Sequence, residues 1–119
     1  PDVLILELGA NDGLRGLSLV HMGRNLKLMI QRARAAGAAV VLVGNRIPPN
    51  LGSVYATRYH RLHHELAATY DVPLVPFMLD GVATKPEFMQ NDGIHPNQAA
   101  QPIILENIWQ VLARTLDEP

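Results

Sequence analysis

The chain has no cysteine, only two serines and no long apolar run. Without a thiol, disulfide bonds, thiolate metal sites and a cysteine nucleophile are excluded, and the composition fits either an oxidising or a reducing compartment. A transmembrane helix needs about 20 predominantly apolar residues, and no stretch of the sequence approaches that length. No positively charged segment of the kind found in a secretory signal peptide precedes Val3, so the compartment stays unknown from the chain.

Neither sign of charge is in excess. The chain has ten lysine and arginine residues and eleven aspartate and glutamate residues, for a net charge of −1. We take these charges to be spread along the chain, which would leave no basic patch to neutralise a phosphate backbone, so nucleic acid is not an expected partner. With 48% hydrophobic residues among 119, the chain is expected to fold around a modest core, as one domain or part of one.

Short apolar runs alternate with amphipathic segments, and each kind predicts one type of element. The runs without polar alternation predict strands buried on both faces; they cover residues 3–8 and 38–43, and a third, proline-containing strand near a sheet edge is predicted within 71–77. Apolar residues at helical spacing predict helices over 18–36, over about 54–70, and at the end of the chain with Pro96 near the first turn.

This β-α-β-α-β-α order predicts a three-layer α/β/α sandwich built on a parallel sheet. No linker or internal repeat interrupts it, so residues 1–119 are expected to lie in a single domain. Ligands of such sheets bind at the carboxyl ends of the strands. Here those ends are followed by residues 9–16, 45–53 and 78–95, where candidate functional residues are therefore sought.

The segment Asp92-Gly93-Ile94-His95-Pro96 carries the most chemical information. An aspartate three residues before a histidine, on a glycine-containing turn, can fold its carboxylate back onto the imidazole. That contact would fix the tautomer and stabilise the imidazolium formed when His95 takes a proton, as in a general base with its orienting carboxylate. The alternative is a turn-capping Asp92 and a partly exposed loop histidine, which is the commoner origin of an isolated Asp-x-x-His.

Gly9-Ala10-Asn11-Asp12 follows the first predicted strand directly. The glycine permits a tight turn, and the side-chain amide of Asn11 could donate a hydrogen bond to the oxyanion of a tetrahedral intermediate. An ordinary Asx-turn between a strand and a helix is the alternative, since Asn-Asp-Gly sequences often form one.

Both segments, in this order, resemble blocks of the SGNH (GDSL-type) hydrolase family, which has a flavodoxin-like fold. Residues 7–16 are similar to the family's Gly-x-Asn-Asp block, and residues 92–96 to the block that holds its catalytic Asp and His. Within the family, residues 8–16, 71–77 and 90–102 look most like the bacterial thioesterase I/protease I/lysophospholipase L1 (arylesterase-like) group. The resemblance covers essentially the whole chain.

The resemblance implies a hydrolase of acyl esters or thioesters that works through a Ser-His-Asp triad and needs no metal or organic cofactor. It implies that His95 is the base, Asp92 its orienting carboxylate and Asn11 an oxyanion-hole donor. It also implies a groove that binds the acyl group of the substrate. The residues expected to border this groove are Gly9, Gly13, Leu14, Arg15, Ile47 and Pro48. A periplasmic or secreted location is also suggested by the resemblance.

The family's nucleophile block, Gly-Asp-Ser, has no counterpart before Gly9. Ser18 and Ser53 each precede a predicted helix and are interpreted as N-caps. A first strand buried on both faces would also need a neighbour on each side. We therefore expect the chain to be a C-terminal portion of the domain, with the serine on an N-terminal segment or a companion chain, and to be inactive alone.

Three histidines, His60, His63 and His64, suggest a metal site because His60 and His64 are one helical turn apart. Arginines and a glutamate interleave with them, so we interpret them as a solvated helix face and expect no metal.

A non-catalytic α/β fragment acting as a binding or assembly module is the other functional hypothesis. Convergence of Asn11, Asp92 and His95 on one crevice would favour the enzyme, because a binding module has no need to keep all three aimed at one point.

Overall fold

The computed structural model describes residues 1–9, 13, 15–47 and 51–117, which form a parallel sheet between helices. In chain order the elements are β1 (Val3–Leu6), α1 (Leu19–Ala35), β2 (Ala39–Val43), α2 (Ser53–Tyr70), β3 (Leu74–Val75), two 3-10 turns (Pro86–Phe88 and Gln98–Ala100) and α3 (Gln101–Asp117). The strands lie in the order β1-β2-β3, and both pairings are parallel. The predicted order of strands and helices is confirmed.

Strand β2 lies at the centre of three layers. Its side chains alternate between the two faces of the sheet: Val40 and Leu42 join the core cluster formed with α1 and α2, whereas Val41 and Val43 join the cluster that α3 covers. All four are at most 3% exposed. The predicted α/β/α sandwich is therefore the observed architecture.

Strand β1 is less buried than its composition predicts. Leu6 is buried against α1 and α2, but Ile5, on the opposite face, is 43% exposed. On that face Val3 packs in the cluster that α3 joins, whereas Ile5 does not, and in the described part of the chain β1 pairs with β2 alone. The expectation of burial on both faces is met by β2 and not by β1.

The starts of the helices correct two predictions. The Ser18 hydroxyl caps α1 by accepting a hydrogen bond from the His21 N–H, as expected. Ser53 is instead the first residue of α2, after Gly52, and makes no capping hydrogen bond. Helix α3 begins at Gln101 and not near Pro96, because residues 88–97 form a loop and a 3-10 turn intervenes.

Charge is distributed unevenly over this fold, contrary to expectation. Residues 13–64 contain eight of the ten lysine and arginine residues and no aspartate or glutamate. This segment includes all of α1 and most of α2, which cover the same face of the sheet. One face of the molecule is therefore strongly basic although the chain as a whole is nearly neutral.

In the part of the chain that the structure describes, no helix combines the length and apolar character needed to span a bilayer.

Candidate active site

Residues 88–97 fold back on themselves as a short loop tied together at its base. Met89 and Pro96 form an antiparallel bridge, and the Gln90 N–H donates to the His95 carbonyl at 2.8 Å. At the tip, Gly93 has φ +68°, a left-handed conformation that glycine adopts without a steric penalty. These contacts hold the backbone of the loop in a shape that brings Asp92 and His95 close together, independently of any contact between their side chains.

Two amide side chains that the sequence analysis did not single out support this loop. Gln90 Nε2 donates to the Pro96 carbonyl at 3.1 Å, and Asn97 Nδ2 donates to the Glu87 carbonyl at 2.8 Å. Asn97 Oδ1 also accepts from the Ala100 N–H at 3.2 Å. An asparagine just ahead of a helical turn is a capping signal, so the sequence did contain an indication for Asn97.

The side chains of Asp92 and His95 are in direct contact. Asp92 Oδ2 accepts a hydrogen bond from His95 Nδ1 at 2.6 Å, while Asp92 Oδ1 accepts from the backbone N–H groups of Ile94 (2.9 Å) and His95 (3.0 Å). An ionised carboxylate only accepts, so Nδ1 carries the hydrogen and Nε2 presents its lone pair. The pair is thus arranged so that Nε2 can accept a proton from a nearby group.

The hydrogen bond from His95, aided by the two backbone N–H groups, lowers the pKa of the Asp92 carboxyl from 3.8 to about 2. Each of these donors stabilises the charged form. Asp92 therefore stays ionised over the whole range in which proteins usually function, and its charge is always available to the imidazole.

This pKa gives a testable pH dependence. In a side-chain carboxyl NMR titration, Asp92 should titrate with a midpoint near 2. In His95→Ala the midpoint should rise, because the largest cause of the shift is lost, yet stay below 3.8 because the two backbone donors remain. Since the folded-state pKa is the lower one, the contribution of Asp92 to stability is present above about pH 4 and is lost as the pH falls through about 2. An unchanged midpoint in His95→Ala would contradict this assignment.

His95 lines a crevice of about 530 Å³ at the carboxyl ends of the strands, within the usual size of small-molecule sites. Its walls come from the end of β1, from α1 and from the loop that holds His95. The lining residues are Glu7, Leu8, Gly9, Met22, Asn25, Leu26, Met29, Asn45, Met78, Leu79, Ile94, His95 and Pro96.

Comparisons with known proteins identify the family of the chain. A sequence model of the GDSL-like lipase/acylhydrolase family matches residues 1–102. The chain belongs to this family. It is 47% identical to esterase TesA of Pseudomonas aeruginosa over 94% of this chain and 56% of that protein. It is 42% identical to thioesterase 1/protease 1/lysophospholipase L1 of Escherichia coli K12 over 89% of this chain and 51% of that protein.

The fold of the family is also seen in solved structures. The psychrotrophic esterase EstA from Pseudoalteromonas sp., in a form inhibited by monoethylphosphonate, superposes with a TM-score of 0.93 at 34% identity, over 99% of this chain and 64% of that one. The chain spans about half the length of the curated relatives that it matches. The family is described as one of lipases and acylhydrolases, and these relatives are named esterase and thioesterase.

The residues predicted to bind substrate in this family member are not all in one place. Gly9 lines the crevice with His95. Ile47 lines an adjoining cavity of about 440 Å³, and Arg15 is exposed. Gly13 is buried against the ring of Tyr59. Three further predicted site residues, Asn11, Leu14 and Pro48, lie outside the described residues.

Helix α1 contributes a wall of the crevice that the sequence analysis missed. Met22, Leu26 and Met29 recur at helical spacing and all line it, as does Glu7, whose pKa is raised by burial. The three apolar residues of α1 could be recognised in the sequence as part of an apolar helix face. Such a face is usually assigned to the core, and it can be assigned to a crevice only when the neighbouring strand ends are known.

The three histidines of α2 do not form one solvated face, which corrects the sequence interpretation. His63 is 1% exposed; its Nδ1 lies 3.3 Å from the Tyr59 carbonyl, and burial lowers its pKa. His60 and His64 stack edge to face with centroids 4.7 Å apart. Across the described ranges, no group of three or more His, Cys, Asp or Glu side chains is arranged to hold a metal ion.

Proposed function

We propose that the whole protein is a serine-dependent hydrolase of acyl esters or thioesters, with His95 as general base and Asp92 as its orienting carboxylate. The observation that carries the proposal is the 2.6 Å contact between Asp92 Oδ2 and His95 Nδ1, on a histidine that lines a crevice at the strand ends. Membership of a lipase/acylhydrolase family supports it, as do relatives named esterase and thioesterase.

In this mechanism His95 Nε2 accepts the proton of the attacking serine hydroxyl, and the new imidazolium is stabilised by Asp92. The tetrahedral oxyanion is stabilised by the side-chain amide of Asn11. Collapse breaks the ester or thioester bond, and His95 returns the proton to the departing alcohol or thiol. Water, deprotonated by the same histidine, then hydrolyses the acyl-enzyme and regenerates the serine.

The apolar side of the crevice fits the acyl part of such a substrate. Met22, Leu26 and Met29 form one wall of it, and methionine side chains adapt to chains of different shape. We infer that the acyl group lies along this wall with its carbonyl carbon near His95. The substrate class is thus an acyl ester or thioester with an aliphatic acyl chain.

We infer that the nucleophilic serine comes from a part of the protein outside these 119 residues. Neither serine of the chain lines the crevice of His95. The Ser18 hydroxyl accepts from the His21 N–H at 3.3 Å at the start of α1, and Ser53 lines a different groove, between α1 and α2. Both positions fit a local or surface role better than attack on a substrate next to His95.

A fluorophosphonate probe tests this proposal directly, since it phosphonylates an activated serine; phosphonate inhibition of the related EstA makes it a suitable choice. The whole protein should take up one label, on a serine other than Ser18 and Ser53 in peptide mass analysis. Labelling should be much slower in His95→Ala and unchanged in His64→Ala, the matched exposed histidine.

Label on Ser18 or Ser53 would overturn our placement of the nucleophile. If the folded whole protein were not labelled at all, the hydrolase proposal would fail, and a binding or assembly module would explain the fold better.

A further inference from the structure

A long groove runs between α1 and α2, separate from the crevice of His95. Its volume is about 1160 Å³. The two helices approach closely where α1 has Gly23, at which an added Cβ would lie 3.1 Å from Leu62 Cδ1 of α2. This contact brings the neighbouring turns of the two helices side by side along the groove.

Four basic side chains line this groove. Arg24 and Lys27 come from α1 and Arg58 and Arg61 from α2, and Glu65 is the single carboxylate among the lining residues. Within the described ranges, the only contact under 4 Å between a basic and an acidic side chain is that of His95 with Asp92. None of the four cations of the groove is thus within 4 Å of a carboxylate of the described chain, and Glu65 can offset only one of their charges.

Apolar side chains are exposed at one end of the same groove. Val20 of α1 is 70% exposed, Val54 of α2 is 65% exposed, and Leu51, just before α2, is 45% exposed; all three line the groove. They lie at or just before the first turns of α1 and α2. These first turns follow the carboxyl ends of β1 and β2 in the chain. In a parallel α/β sandwich this is also the end at which the crevice of His95 opens.

We propose that this groove docks the protein on the surface of an anionic phospholipid bilayer. The cations meet the phosphate groups, and the exposed aliphatic side chains enter the region between headgroups and acyl chains, the combination that holds proteins at such interfaces. A nucleic acid backbone would match the charge but would leave Val20 and Val54 without an apolar partner. Docking in this way turns the crevice end of the molecule towards the lipid, and it does not require the hydrolase to be active.

Vesicle sedimentation with the whole protein tests the proposal. Binding is expected to phosphatidylcholine vesicles that contain phosphatidylglycerol, and not to phosphatidylcholine vesicles alone. Each basic residue near an anionic surface strengthens binding roughly fivefold, so Arg24→Gln with Arg58→Gln should weaken binding by about 25-fold. Val20→Ser with Val54→Ser should also weaken it.

The matched control is Arg32→Gln with Arg114→Gln, which removes the same charge from the last turns of α1 and α3, outside the groove and at the end of the molecule away from the crevice. It should leave vesicle binding unchanged. Hydrolysis of a water-soluble ester should be unaffected in both charge variants, which shows that they are folded and separates this proposal from the hydrolase proposal.

Three results would each overturn the assignment. Equal losses in the two charge variants would show that only net charge matters. Equal binding to vesicles without phosphatidylglycerol would remove the role of the anionic lipid. Binding to a DNA duplex as tight as to the vesicles, with no effect of Val20→Ser and Val54→Ser, would identify the groove as a site for a polyanion other than a bilayer.

Discussion

Replacement of His95 by alanine should lower kcat/KM of the whole protein for acyl esters by about a thousandfold, because it removes the proposed general base that accepts the proton of the nucleophile. The fold should be little affected. The His95 side chain is 67% exposed, and exposed substitutions usually change stability by less than about 0.5 kcal/mol. Steady-state kinetics and urea unfolding, measured on the same preparation, separate the two effects.

Two variants make this result specific. His64→Ala removes an exposed histidine from α2 and should retain wild-type kcat/KM. Asp92→Asn keeps a side-chain oxygen for the N–H groups of Ile94 and His95, so the loop should keep its shape, but it removes the charge that faces Nδ1. Its kcat should fall by up to about four orders of magnitude. Near-wild-type activity in either His95→Ala or Asp92→Asn would contradict the proposed triad roles.

The Asp92–His95 contact could be predicted from the sequence because it is local. Three residues separate the two side chains, and a glycine between them allows the turn, so the contact depends little on the rest of the fold. The strand and helix order was predictable for a similar reason, since apolar periodicity is read within each segment.

The errors arose where the answer depends on distant parts of the chain. His63 lies among charged residues in the sequence, yet it shares a buried stripe with Tyr59 and Leu66, which follow the i, i+4, i+7 spacing. The exposure of Ile5 depends on how far α3 extends over the sheet. The basic groove appears only when α1 and α2 are placed side by side. Each is a property of tertiary packing that no single segment specifies.

The hydrogen bond between Gly13 and Gly9 leads to the second large prediction. The Gly13 N–H donates to the Gly9 carbonyl at 3.0 Å, and Asn11, the proposed oxyanion donor, lies between these two residues in the sequence. A Cβ at Gly13 would lie 2.4 Å from Tyr59 Cε2 and 3.0 Å from Ile47 Cγ2. Tyr59 is fully buried and packs edge to face on His63, so its ring cannot move aside freely.

Gly13→Ala should therefore force the backbone at residue 13 away from α2. Overpacking of this kind costs about 1–3 kcal/mol of unfolding free energy, measurable by urea denaturation. Because a displacement of about 1 Å near reacting groups can cost a hundredfold in rate, we also expect kcat to fall by at least about tenfold, with a smaller change in KM. A loss of stability with unchanged kcat would show that the packing of Gly13 does not position the proposed oxyanion donor.

A double-mutant cycle that combines Gly13→Ala with Tyr59→Ala identifies the group that the added methyl meets. Alanine has no atom at the positions of Tyr59 Cε2 and Cδ2, which would lie 2.4 Å and 2.8 Å from the new Cβ, so the methyl group would occupy space that the ring has left. Tyr59→Ala alone should be destabilising because it creates a cavity. The double variant should then be more stable, and have a higher kcat, than the sum of the two single effects predicts, since the effects of substitutions at residues in contact are not additive.

Additive losses would mean that Gly13 is needed for some reason other than its contact with Tyr59. Recovery of stability without recovery of kcat would separate the packing of Gly13 from its proposed effect on catalysis.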